Sequence, residues 1–226
     1  MNTKEQKGVI RIYHGSLNAS LTPVYNGGMD YHDYGNGFYC TEDFESAKEW
    51  ACQHEGVSES YVYLYDINIG AITPVLDMSV MEPVYWLSAL AQYRYGRNEP
   101  ALRRERRQSF IDAFPVNCEQ SEVIIGWRAN DKYFAYLKYF LNSDISYEAV
   151  VQAIMLGNLG KQVVIKGLQA YKQLMQAGDK LVISGDDYIR YNRQYLNREN
   201  DAGEQLKIVR DIKGRTLSDI LAKGVI

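Results

Sequence analysis

Residues 34–51 read YGNGFYCTEDFESAKEWA, a stretch that leads from a glycine-rich turn through a strand into a helix. The run Phe38–Cys40 follows two glycines and favours a strand because its residues are aromatic or apolar. Thr41 is suited to cap a helix whose first turn is acidic, so we expect a helix over EDFESAKEWACQHE, residues 42–55. Strand and helix in direct succession indicate a fold that mixes the two.

The rest of the chain repeats this mixture. GVIRIYHG at residues 8–15 alternates as a strand does, with His14 at the strand's end. Further strands are predicted at 60–69, 121–127, 178–185 and in a segment opened by Gln162. Helices are predicted at 84–95, at 99–114 with Pro100 in the first helical position, at 130–141, from the capping Ser146 to Gly157, and over the tail from Asp186. We therefore expect one α+β domain over residues 1–226, with a helical C-terminal extension from about residue 186.

The composition of the chain limits the classes of protein to which it can belong. The chain has 226 residues, of which 46% are hydrophobic and 23% charged, and these proportions are typical of a globular protein. We expect a cytoplasmic protein that does not bind membranes, because residues 1–15 lack the apolar core of a signal peptide and no apolar run is long enough to span a bilayer. Three cysteines, Cys40, Cys52 and Cys118, have no disulfide or metal spacing and are expected to be reduced.

Three common kinds of site are not supported by the sequence. Gly35 and Gly37 lack the third glycine and the helix start of a dinucleotide-binding loop. The histidines and cysteines show neither CxxC nor HxxxH spacing, so we expect no metal site. Ser16 follows His14 closely, but no GxSxG motif accompanies it, which argues against a serine hydrolase.

An arginine cluster leaves a second function class open. Arg103, Arg104, Arg106 and Arg107 lie together in a predicted helix, within a second half of the chain that is more basic than the first. Such a helix can follow the phosphates of a nucleic acid, and it can equally be a solvated helix face. The sequence leaves both interpretations open.

Several motifs occur in an order that resembles a known enzyme lineage. They are YHGS at 13–16, GNGFYCT at 35–41, Ser46 and Ala47 in the following helix, and Gln162 opening QVVIK. They resemble the H–Y–E ADP-ribosyltransferases of the diphtheria-toxin and poly(ADP-ribose) polymerase type. The closer resemblance, over about residues 10–175, is to a bacterial family of uncharacterised proteins that share YHGS, GFYxT with A–x–x–W–A, VIIGWRA–D and LGNLGxQ.

The resemblance implies a fold and a set of site residues. The fold would be an ADP-ribosyltransferase-like split two-sheet β core with flanking helices. His14, Tyr39 and Gln162 would be the catalytic residues, with His14 bonded to a ribose hydroxyl of the co-substrate NAD and Tyr39 stacked on the nicotinamide. The implied NAD-binding residues are His14, Gly15, Ser16, Tyr39, Ser46 and Trp50, and no metal is implied.

Gln162 is where the sequence departs from this lineage, whose polymer-forming members carry glutamate there. An amide can bond the ribose but brings no charge to steady a developing cation. The resemblance therefore implies mono-ADP-ribosylation of a macromolecular acceptor, whether protein, RNA or DNA. A toxin of a toxin–antitoxin or phage-defence locus, with an antitoxin protein as partner, is one role that suits such an enzyme. The alternatives are a non-catalytic NAD- or nucleotide-binding module and a nucleic-acid-binding protein.

Overall fold

The structure is a computed structural model that describes residues 8–95, 99–129, 131–157 and 160–224. It contains two four-stranded β-sheets and flanking helices, so the expected α+β class is confirmed. The strands are β1 (Val9–Ser16), β2 (Phe38–Cys40), β3 (Glu59–Asn68), β4 (Val75–Asp77), β5 (Val123–Trp127), β6 (Lys161–Ile165), β7 (Met175–Gln176) and β8 (Leu181–Ser184). The helices are α1 (Phe44–Ala51), α2 (Pro83–Tyr93), α3 (Ala101–Ala113), α4 (Asp131–Leu141), α5 (Tyr147–Gly157), α6 (Leu168–Gln173), α7 (Gly185–Val209) and α8 (Leu217–Lys223).

The first sheet is built around β3. β1 pairs with one edge of β3, while β7 and β8 pair with different parts of its other edge, all antiparallel. The second sheet has the order β2-β6-β5-β4, in which only β4 and β5 are parallel. Two backbone hydrogen bonds between Tyr13 and Thr41 form a single bridge that links the two sheets.

Successive side chains of a strand point to opposite faces of its sheet, and this alternation determines which face packs against the other sheet and which against helices. In β3, Tyr61, Tyr63, Tyr65 and Ile67 face the second sheet and form the core between the sheets with β2, β5 and β6. Val62 faces the opposite way and packs under α1 and α7. The far face of the second sheet is covered by α2 to α5 and α8. The two sheets therefore lie face to face between helical layers.

Five observed ends of elements differ from the expectations, and they include both ends of α1. β1 continues to Ser16, so His14 lies inside the strand rather than at its end. Asp43, not Thr41, caps α1, because its carboxylate accepts the Ser46 amide hydrogen at 2.6 Å. Thr41 instead donates to the Lys161 carbonyl, and α1 ends at Ala51. Pro100 is the residue before α3 rather than its first, and Lys161 rather than Gln162 opens β6.

Other expectations were met more closely. Ser146 caps α5 by accepting the Ala149 amide hydrogen at 3.1 Å. The chain beyond β8 forms α7 and α8, as expected of a helical C-terminal part. The periodicity of the helix predicted over residues 130–141 would place Tyr133 on its buried face, but the side chain of Tyr133 lies outside the described ones. The expectation of one domain over residues 1–226 stays a prediction.

Candidate functional site

A cavity of about 630 Å³ lies beside the bridge that links the two sheets. Its wall contains residues of β1, β2 and β6, the end of α1, residues 128–129 after β5, and the loop from residue 21 to residue 33. Its volume is in the range of ligand-binding clefts. Five of the residues singled out from the sequence line it: His14, Gly15, Tyr39, Trp50 and Gln162.

His14 presents one defined hydrogen-bonding atom to this cavity. Its Nδ1 lies 2.7 Å from the backbone carbonyl oxygen of Tyr39, and a carbonyl can only accept, so Nδ1 carries the proton. Burial lowers the pKa of His14, and the bond to the Tyr39 carbonyl opposes this shift only in part. At neutral pH the ring is therefore uncharged and its Nε2 is an acceptor. The ring packs on Phe38, with 4.4 Å between the ring centroids.

Tyr39 offers an aromatic surface rather than a hydroxyl. Its hydroxyl donates to the Gly35 carbonyl at 2.7 Å and accepts the Tyr34 amide hydrogen at 2.9 Å. Burial raises the pKa of Tyr39 well above its usual value, so it does not ionise near neutrality. Because both bonds hold the turn at residues 34–35, only the ring of Tyr39 is available to a ligand.

Gln162 lies on the same face of the second sheet as Tyr39. Tyr39 is paired with Val164, and side chains two positions apart in a strand point the same way. The Gln162 side chain is only 3% exposed, and its Nε2 donates to Asp33 Oδ2 at 2.8 Å and to the Trp127 carbonyl at 3.2 Å. The amide is therefore fixed in one orientation.

Sequence reasoning missed three charged residues of this wall: Asp33, Arg94 and Arg128. Asp33 is 5% exposed, and its nearest cationic atom is Arg94 Nη1, 3.5 Å from Oδ1. The Arg128 guanidinium lies 4.5 Å from the centre of the Trp50 ring. Arg128 belongs to the VIIGWRA motif and could have been found there. Asp33 lies in a segment with no periodic or motif signal, and Arg94 lies in the helix predicted over residues 84–95, where no motif marks it as a site residue.

Two of the expected NAD-binding residues are not brought to the cavity. Ser16 is the last residue of β1, and its hydroxyl accepts the Asn18 amide hydrogen at 3.1 Å. Ser46 is buried in the first turn of α1. Neither belongs to the cavity wall. Among the described residues, no three His, Cys, Asp or Glu side chains come together as a metal site requires.

The arginine cluster of α3 is bonded to the protein itself. Arg103 and Arg106 donate to Asn142, while Arg104 and Arg107 donate to Glu99. The Arg107 and Glu99 side chains are only 12% and 9% exposed, and Arg107 also donates to the Ala91 carbonyl. These contacts favour a structural role for the cluster over a surface that follows phosphates.

Arg107→Ala is expected to lower the free energy of unfolding by about 2 kcal/mol, because it leaves Glu99 without its charged donor. Arg104→Ala is the matched control, since among the described residues the exposed Arg104 donates only to the Glu99 carbonyl, and we expect a change within about 0.5 kcal/mol. Urea unfolding of both variants measures the difference. Equal losses would contradict the structural role of Arg107.

Fold and cavity together define an α+β protein in which two packed sheets meet beside a ligand-sized cavity. A family model described as a protein of unknown function, DUF3990, matches residues 10–175 of the chain. The chain therefore belongs to the DUF3990 family. No curated protein and no solved structure matches it. No helix in the described part of the chain is both long and apolar enough to cross a membrane.

Proposed function

We propose that this protein is an NAD-dependent mono-ADP-ribosyltransferase with a split, two-sheet core of the H–Y–E type. The observation that supports this most is the convergence of His14, Tyr39 and Gln162 on one cavity. The sequence separates these residues by up to 148 positions, and the sequence resemblance independently implies that all three belong to one site. The single bridge between Tyr13 and Thr41, where the two sheets part, is also in keeping with a split core.

The proposed reaction breaks the bond between C1′ of the ribose and N1 of nicotinamide. The bonding electron pair leaves with nicotinamide, which becomes neutral, and the positive charge passes to the ribose ring. A nucleophilic oxygen or nitrogen of the acceptor then bonds to C1′ and loses its proton to solvent. The site has to hold the ribose rigidly and tolerate a cation, because positioning and electrostatics provide most of such a rate increase.

Each residue has a role that follows from its contacts. The neutral His14 accepts a ribose hydroxyl hydrogen at Nε2, because Nδ1 is already bonded to Tyr39. The Tyr39 ring stacks on nicotinamide, because its hydroxyl is committed to the turn at residues 34–35. Trp50 and the Gly15 backbone complete the wall, while Arg94 and Arg128 place two guanidinium groups near the anionic pyrophosphate.

The cellular part of the proposal rests on the resemblance alone. It comprises a cytoplasmic location, a protein or nucleic-acid acceptor, and a role as a toxin with a cognate antitoxin or as a phage-defence effector. Three of the α3 arginines donate hydrogen bonds to Asn142 or Glu99 of the protein itself, which does not favour the nucleic-acid-binding alternative. A non-catalytic NAD- or nucleotide-binding module uses the same cavity, and only a turnover measurement separates it from the enzyme.

The test is release of free nicotinamide from NAD, measured by chromatography with and without cell lysate as a source of acceptor. We expect release by the natural protein and a rate about 100-fold lower for His14→Ala, as for the loss of one positioned group in a transition state. His54→Ala is the matched control, because His54 is exposed and does not line the cavity.

Equal rates for the His14 and His54 variants would contradict the role of His14. A natural protein that binds NAD without releasing nicotinamide would support the binding module instead. Absence of both binding and release would contradict every NAD-dependent function.

A further inference from the structure

Asp33 and Gln162 form a buried pair in the cavity wall although 129 positions separate them. Asp33 Oδ2 accepts two hydrogen bonds, one from Gln162 Nε2 at 2.8 Å and one from the Ala129 amide at 2.9 Å. Both side chains are at most 5% exposed. A carboxylate at this depth is uncommon unless its oxygens are bonded or paired.

The partners of Gln162 determine which of its atoms a ligand can meet. Asp33 Oδ2 and the Trp127 carbonyl are both acceptors, so the nitrogen of the Gln162 amide must face them and both of its hydrogens are used. The remaining group is the amide oxygen, which is itself an acceptor. A glutamate at this position would instead turn an oxygen towards two acceptors.

The second oxygen of Asp33 is not satisfied in the same way. Oδ1 is buried and accepts no hydrogen bond from the described residues, and its nearest charge is Arg94 at 3.5 Å. Burial raises the pKa of Asp33 even though Arg94, the Ala129 amide, Gln162 and Arg128 all oppose this shift. A buried carboxylate oxygen without a donor is costly, and such groups recur where a ligand completes the site.

We propose that Asp33 is the anionic group of this cavity: it faces the nicotinamide end of the ligand, where the positive charge lies on the ring and passes to the ribose during cleavage, and it holds Gln162 with its amide oxygen towards a ribose hydroxyl. This inference rests on the proposed function and adds the charge that Gln162 itself does not carry. Asp33 reaches the site from the loop before β2, whereas Gln162 reaches it from β6.

The experiment compares the natural protein with Asp33→Asn, which keeps the size of the side chain and removes its charge. Two quantities are measured: nicotinamide release per folded molecule, and the ratio of the dissociation constants for NADH and NAD by calorimetry. NADH lacks the ring charge of NAD, so we expect the natural protein to prefer NAD by about tenfold. In Asp33→Asn this preference should disappear and kcat should fall about 100-fold.

Two further variants act as controls. Asp30→Asn removes a nearby carboxylate that does not line the cavity, and it should change neither quantity. Asp33→Ser takes the place of the asparagine variant if that variant does not fold, because serine is small and polar and carries no charge. If Asp33 has only a structural role, its substitution will change the melting temperature but will leave the NAD preference and the rate per folded molecule unchanged.

The outcomes separate this inference from the proposed function. Release by the natural protein, together with an unchanged rate or NAD preference in the folded Asp33 variants, overturns the role of Asp33 and leaves the enzyme. No release, together with an NAD preference that disappears with Asp33, overturns the enzyme and supports Asp33 as the anion of a binding site. Neither release nor binding by the natural protein overturns both.

Discussion

Gly15→Ala is expected to lower the free energy of unfolding by about 4 kcal/mol, more than is usual for adding one methyl group to a packed interior. Alternation along β1 turns position 15 towards α1. A Cβ built there would lie 2.6 Å from the Ala51 backbone nitrogen and would also overlap the Ala47 carbonyl oxygen. Both are backbone atoms of a helix, so they cannot move aside as a side chain can. Urea unfolding measures the loss.

Gly56→Ala serves as the control because it separates steric overlap from backbone conformation. Gly56 has φ of +74° and no atom within 4 Å of a built Cβ, so alanine there carries only the conformational cost of about 1 kcal/mol. A Gly15 variant no less stable than the Gly56 variant would show that α1 can shift away from β1. His14 would then be held less tightly than the packing implies.

Glycine at position 15 of the YHGS motif has two separate physical explanations. The resemblance carried by the YHGS motif implies that Gly15 binds NAD, and Gly15 does line the cavity. A Cβ at position 15 would overlap with α1, so the close packing of β1 against this helix is a second reason why glycine is needed there. Both reasons require glycine, and the sequence alone could not separate them.

The fold was predictable where alternation or capping signals were strong. Strands β1, β2, β3, β5, β6 and β8 and helices α1 to α5 and α7 were expected from local patterns, with shifts at their ends. β4, β7 and α6 were not expected, nor was the division of the helical tail into α7 and α8. β4 and β7 have three and two residues, too few to show a period, and they exist because β5 and β3 offer edges to pair with.

The candidate site was predictable only where a motif carried it. His14, Tyr39 and Gln162 were named from short patterns, and they meet at one cavity. Asp33 had no such signal, because its importance comes from contacts with Ala129 and Gln162, 96 and 129 positions away. The sequence showed that Gln162 lacks a charge, but it could not show that a carboxylate lies 2.8 Å from the amide.

The hydrogen bond between Gln162 and Asp33 makes Gln162→Glu an unfavourable substitution, which the sequence alone does not predict. A glutamate would restore the residue of the polymer-forming lineage, and the resemblance would favour equal or higher activity. The structure puts the new carboxylate against Asp33 Oδ2 and the Trp127 carbonyl. Burial already raises the pKa of Asp33, and a second carboxyl in contact makes the pair hold one proton more strongly.

The consequence is a loss of stability that grows with pH. Above the ordinary carboxyl pKa of about 4, the folded variant keeps a proton that its unfolded chain has lost. A group whose pKa is raised by folding contributes stability at low pH and loses it as the pH rises. Relative to the natural protein, the free energy of unfolding of Gln162→Glu should therefore fall as the pH rises from 5.5 to 7.5, by up to about 1.4 kcal/mol per pH unit.

Gln162→Met is the matched control for this titration, because methionine is similar in size and has no group that titrates. It loses the bonds to Asp33 and Trp127, so we expect a lower stability, and its difference from the natural protein should vary less with pH than that of Gln162→Glu because no second carboxyl is added. Urea unfolding of the three proteins across this range measures both slopes. A flat difference for Gln162→Glu would mean that Arg94 and Arg128 neutralise both carboxylates. The amide at position 162 would then not be required by its contact with Asp33, and the reason for glutamine in this site would have to lie in the ligand.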